Sequence, residues 1–135
     1  MLGVHYEGPF VNTSQCGALR TEHEENAVVG RTSLRDGQWH HVAVLVLGGK
    51  KSRGFVQVKQ YVDGRLDGTG ALPRGVKPGA GEKSDLLWIG RRANANAKFA
   101  EEGFRGGLDE LFLADRPLAP DEIRQLMDEN QPPGV

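Results

Sequence analysis

The stretch DGQWHHVAVLVL, residues 36–47, decides the fold. Asp36-Gly37 is a turn pair. The run from His41 to Leu47 is rich in Val and Leu, short enough for a strand and too short for a typical helix. Successive side chains on a strand point to opposite faces. His40 and His41 therefore look away from each other and do not chelate one ion. Zinc needs three or four convergent ligands, and the other histidines, His5 and His23, lie in no ligand-spaced cluster. The pair is read as the mouth of a strand, with one ring packed under the sheet edge beside Trp39 and the other solvated.

Working outward, the chain reads as short strands between turn clusters. Residues 4–10 are weakly strand-like, and residues 18–22 and 27–32 suit a hairpin around the polar HEEN at 23–26. GGKKSRG, residues 48–54, is a hairpin loop. Residues 55–62 follow as a strand, with Val56, Val58 and Val62 on one face and Phe55 and Tyr61 on the other. Asp63-Gly64 is the residue pair that a type I′ hairpin turn requires. Residues 69–84 are rich in Gly, Pro and Lys and read as a long loop. Residues 86–89 suit a strand ended by Gly90, and residues 91–103 suit a second long loop with a helical turn. Residues 104–114 close the sheet set as a last strand.

The tail changes period. In PLAPDEIRQLM, residues 117–127, Pro120 suits the first helical position and Asp121 and Glu122 complement the helix dipole. Leu118 and Ile123 have the spacing of a hydrophobic staple across Ala119. Ile123, Leu126 and Met127 form one apolar stripe, and Pro132 and Pro133 stop the helix. An all-β sandwich or barrel with one short C-terminal helix is expected, as a single domain over residues 1–135 with a tail at 131–135.

Composition narrows the function. The 135-residue chain has a net charge of −1 and 38 % hydrophobic residues with 19 glycines. Such a chain can bury a core, though a lean one. The charge argues against a general grip on nucleic acid or an anionic membrane. Lys50, Lys51, Arg53, Arg91 and Arg92 read first as solvated loop charges. The single cysteine, Cys16, excludes an internal disulfide and a cysteine-based zinc site. No apolar stretch approaches a membrane span. The opening MLGVHYEGPF has neither the basic start nor the apolar core of a secretory signal, and an excised piece of a larger protein would read the same way.

Four elements now stand in order: residues 36–43, Tyr61-Val62-Asp63-Gly64, Ile89-Gly90, and Gly107-Leu108-Asp109-Glu110 ahead of the Leu118 to Ile123 helix start. Each is weak alone. In this order they resemble the laminin G-like, concanavalin A-like lectin/glucanase family over residues 17–127. The resemblance implies an antiparallel jelly-roll β-sandwich. Trp39, His40, His41, Asp63 and Gly64 then form a structural signature of the strand mouth and hairpin. The family's opening strands are reduced here, so the chain reads as the C-terminal portion of a longer domain. Unpaired sheet edges invite pairing with another chain, and a homodimer through exposed edges is expected.

The resemblance also frames the chemistry. Related glycosidases place acid and base carboxylates along one strand as Glu-x-Asp-x-Glu, and glycoside hydrolysis needs such a pair. The pattern is absent: Glu101-Glu102, Asp109-Glu110 and Asp121-Glu122 are adjacent pairs. There is no nucleophile elbow and no phosphate loop. The expectation is a module without catalysis. Many relatives hold calcium near a sheet edge, and the residue that matches their aspartate is Asp109. One carboxylate cannot hold calcium alone, so the preferred reading of Asp109 is a hydrogen bond to loop amides. For sugar, loop tips offer Arg91, Arg92, Asn94, Asn96 and Lys98, and the turn at residues 63–70, with Phe99 or Trp88 as the ring. Those aromatics read equally as core, and those asparagines as turn formers. The expected whole is a carbohydrate-binding or adhesion module of a larger extracellular or envelope protein. The alternatives are a structural protein–protein module and a remnant of a glycoside-active enzyme.

Overall fold

The computed structural model describes residues 2–4, 17–23, 26–48, 54–73 and 104–131. The chain divides into two compact units, one from Met1–Arg74 with Phe112–Val135 and the other Gly75–Leu111.

The first unit carries all the regular structure described. Strands β1 (Leu2–Val4), β2 (Ala18–His23) and β3 (Asn26–Ser33) form one antiparallel sheet in the order β1-β2-β3. Strands β4 (Val42–Leu47), β5 (Phe55–Val62) and β6 (Arg65–Pro73) form a second, in the order β4-β5-β6. Helix α1 (Pro120–Glu129) follows. The expected hairpin of β2 and β3 is present, with His23 paired to Asn26. So is the β5–β6 hairpin, whose Asp63 and Gly64 have φ of 48° and 70°. Both central residues of a type I′ turn need positive φ, and Gly64 adopts it without a Cβ penalty.

The second sheet is buried on both faces. Val58 and Leu72 pack against Val28 of β3, with Val44 and Val56 beside them. On the opposite face Tyr61 and Leu45 pack against Ile123 of α1, flanked by Ala43, Leu47 and Leu118. This is the division of faces that the alternation of β5 predicts. The strand has a register irregularity between Gln60 and Tyr61, and with both faces covered Gln60, Tyr61 and Val62 are all buried.

Helix α1 starts as the sequence indicates. Pro120 opens it, Asp121 and Glu122 load its first turn, and Asn130 ends it in the left-handed region at φ 52°. Ala119 cannot accept a capping hydrogen bond, but the Ala119 amide donates to Glu122 Oε2 at 2.7 Å. Arg116 then grips the same carboxylate at 2.6 and 2.9 Å. Leu118 and Ile123 meet in one apolar cluster, so the staple is realised.

The two sheets are joined by polar groups as well. Gln60, fully buried, donates from Nε2 to Thr21 Oγ1 at 2.9 Å and to the Val28 carbonyl at 3.1 Å. Asp67 of β6 accepts from the amides of Arg31 and Thr32 at 3.0 and 2.9 Å, and from Thr32 Oγ1 at 2.7 Å. Those amides belong to β3, the last strand of its sheet, so a side chain stands in for a missing neighbour strand. Gly30 permits this approach, because a Cβ there would overlap the Asp67 carboxylate.

Two expectations need correction. Residues 69–73 are not loop, since β6 pairs with β5 as far as Phe55 opposite Pro73. The Gly-rich composition serves close packing: a Cβ on Gly70 would lie 2.7 Å from Val28 Cγ2. Residues 104–114 are not a strand and join no ladder among the described residues. Glu110 sits at φ 51° and its amide donates to Asp109 Oδ1 at 3.0 Å, a local bond that competes with strand pairing. The strand expected at 86–89 and the loop at 91–103 lie outside the described residues.

Candidate functional site

The site is built on the β5–β6 hairpin. A half-open cavity of about 500 Å³ is lined by Thr32, Val62, Asp63, Arg65, Leu66 and Asp67. Val62 and Leu66 supply apolar surface, Leu66 being 55 % exposed. Thr32, Arg65 and the two carboxylates supply polar groups. Arg65 makes no ion pair among the described residues, which leaves its five donors open.

Each carboxylate is fixed. Asp67 is held by β3 as described. Asp63 Oδ1 accepts the His41 amide at 3.0 Å, and Asp63 Oδ2 lies 2.8 Å from His40 Nδ1. His40 Nε2 lies 3.0 Å from Asp36 Oδ1, which also accepts the Gln38 amide at 2.9 Å. One imidazole thus bridges the turn before β4 and the turn after β5.

Titration follows from these contacts. Asp63 and then Asp36, each bonded to the ring, hold the His40 pKa above the ordinary histidine value. The Gln38 amide and then His40 hold the Asp36 carboxyl below its ordinary value. Burial pushes His41 the other way, against the attraction of Asp63 and Asp128, and its Nδ1 is buried without a hydrogen-bond partner.

This corrects the reading of the histidine pair. Neither ring is simply solvated, since both are only partly exposed, and Trp39 itself is 73 % exposed. The turn tying His40 to Asp36 leaves the preceding indole turned out to water. Among the described residues no group of three or more His, Cys, Asp or Glu side chains converges on a metal-sized site. Asp109 is exposed, and its described contact is the Glu110 amide. Arg91, Arg92, Asn94, Asn96 and Lys98, with Trp88 and Phe99, lie outside the described residues.

What sequence reasoning missed is the grouping. It placed Asp63 in the hairpin turn and the histidines in the strand mouth, but not the bond between them. It looked for an aromatic ring at Phe99 or Trp88, which lie outside the described residues; among the described residues Trp39 presents an exposed indole. The usable signal was local: Trp39 lies between Gln38 and His40, ahead of the apolar run rather than inside it.

Two facing antiparallel sheets with one short helix on the outer face are consistent with a concanavalin A-like β-sandwich. The family profile of the concanavalin A-like lectin/glucanases superfamily, laminin G-like type, matches residues 9–124, and the chain belongs to that family. No curated protein and no solved structure matches the chain.

Proposed function

We propose that this domain is a recognition module without catalysis that binds carbohydrate at the rim of the β5–β6 hairpin. The observation that carries the reading is a cavity whose lining sets the exposed Leu66 beside Thr32, Asp63, Arg65 and Asp67. Arg65, Thr32 and two carboxylates face it, and Trp39 precedes the residue that bonds Asp63. Sugars are recognised by an aromatic or apolar surface against their C–H faces and by planar polar groups around their hydroxyls. Both kinds are here. Asp63 and Asp67 accept backbone amides, which suits fixed hydroxyl acceptors better than an acid–base pair that must exchange protons during turnover. Membership of a lectin/glucanase superfamily supports the same reading. The setting we propose is extracellular or envelope, within a larger protein.

The test is a glycan array on the purified protein, run with calcium and with chelator, beside Trp39→Ala and Arg65→Ala. Binding that both substitutions weaken at least ~10-fold supports the site, since loss of ~1.4 kcal/mol is tenfold. Calcium dependence would bring Asp109 back as a ligand. Binding that ignores both substitutions moves the site elsewhere, and no binding at all removes the carbohydrate reading.

A second reading is favoured by β4. It ends its sheet among the described strands, and Val42 and Val46 are 41 % and 57 % exposed. Its sequence, VAVLVL, has no charge and no Pro to discourage pairing. This supports a protein–protein module, with a second copy joining edge to edge. Sedimentation over a range of concentrations tests it: a dimer expected by this reading should dissociate on Val46→Lys, and a monomer throughout removes it.

A further inference from the structure

The His40 bridge has a proton requirement that follows from its geometry. Both ring nitrogens face carboxylate oxygens, at 2.8 Å and 3.0 Å. An ionised carboxylate only accepts, and a neutral imidazole has one N–H and one lone pair. Neutral His40 can therefore satisfy one of its two partners and turns a lone pair on the other. Only the imidazolium donates to both. The ring is 15 % exposed while the two carboxylates are 47 % and 49 % exposed, so a carboxylate that neutral His40 no longer holds can turn to water.

We propose that His40 is a proton-dependent latch on Asp63, a residue that lines the cavity. As an imidazolium it ties the Asp36 turn to Asp63. On losing its proton it drops one carboxylate, and the hairpin turn that carries Asp63 loosens.

The surrounding charges agree with this assignment. From the turn before β4 the ring is faced by Asp36, and from the hairpin by Asp63. His41, next in sequence, is disfavoured as a cation by burial. Helix α1 contributes Asp128, whose attraction acts on His41, and Arg124, whose stem lies against Gly64. The two groups in direct contact are both anionic, and both raise the pKa of His40.

The direction in pH follows. A folded-state pKa above the unfolded value gives stability that is fully present below the unfolded value and lost as pH rises through the folded one. The latch is therefore closed in mild acid and opens on going alkaline. In strong acid it fails from the other side, as Asp36 takes up its proton. Because Asp63 lines the cavity, ligand affinity should fall as pH rises. That last step alone rests on the carbohydrate reading.

The experiment is an NMR pH titration of the ligand-free protein. It follows the His40 ring nitrogens and the backbone amides of His41, Asp63, Arg65 and Asp67. The expected result is a His40 midpoint above the ordinary value of about 6.5, with the hairpin amides shifting at that same midpoint. Asp36→Asn should lower the midpoint while keeping the ring. In His40→Gln the amide transition should vanish, and if that variant fails to fold, Asp36→Asn carries the test. A midpoint at or below the ordinary value, or amides that stay flat while His40 titrates, overturns the latch. A glycan array without hits overturns only the carbohydrate reading, since the amide titration needs no ligand.

Discussion

Asp63 holds His41 by two hydrogen bonds in opposite senses. Its carboxylate Oδ1 accepts the His41 amide at 3.0 Å, and its own amide donates to the His41 carbonyl at 2.9 Å. The residue just before β4 is thus fastened, through main chain and side chain, to the turn that follows β5. Asp63→Ala removes the acceptor for the His41 amide and for the His40 ring together. We expect a loss of about 1–3 kcal/mol, the cost of leaving such donors unpaired. Asp63→Asn, which keeps Oδ1, should lose less. Urea denaturation of the two variants beside the parent checks the order.

Gln60 gives a sharper ordering. Its Nε2 serves Thr21 and Val28, while its buried Oε1 has no partner. Gln60→Leu removes two hydrogen bonds and one unsatisfied acceptor at once, so its net cost should stay at about 1–2 kcal/mol. Gln60→Glu loses the donor and buries a carboxylate against the Val28 carbonyl. A buried unpaired charge costs several kcal/mol. Midpoints in urea should fall in the order parent, Leu, Glu. A Glu variant as stable as the Leu variant would show that water reaches this position.

Ile123 is the fully buried contact of α1 with the second sheet. Ile123→Ala should cost about 2–5 kcal/mol, the usual range for truncating a buried aliphatic side chain. Near-ultraviolet circular dichroism should also change, because Tyr61 loses its neighbour across the interface.

Glu122 predicts an acid limb. The Arg116 guanidinium, then the Ala119 amide, hold its carboxyl down at about 2, against an ordinary 4.5. A depressed folded-state pKa contributes stability that is present above the unfolded value and lost as pH falls toward the folded one. Between pH 4.5 and 2 the helix start should weaken. Glu122→Gln should flatten that part of the stability curve, read as melting temperature against pH. A curve unchanged by the substitution would show that the ion pair is already screened.

Much of this fold was legible because local signals agreed with tertiary packing. The apolar run after His41, the Asp63-Gly64 turn and the Pro120 helix start each rest on a few adjacent residues, and each stands where expected. The end of β6 was not legible. Its glycines and Pro73 argue for loop, and only the ladder to β5 and the close approach of β3 make them strand. Residues 104–114 misled in the opposite sense. Their apolar alternation suits a strand, but the Asp109 side chain captures the next amide and Glu110 turns left-handed. The site was half visible. Asp63, His40 and Trp39 each stood out, but the hydrogen bond from His40 to Asp63 spans 23 positions, and no local pattern encodes that partnership.

The double burial of β5 has a consequence for how the chain comes apart. Residues from the β2–β3 hairpin press on one side of this strand, and a helix that starts some ninety positions later presses on the other. Cutting the chain before Leu118 would bare Tyr61 and Leu45 to water. Loss of the first hairpin would bare Val58 and Leu72. Either loss therefore damages the shared layer on which the opposite flank rests. The two ends of the sequence should then melt as one transition, and a protease should find no half of this unit worth leaving intact.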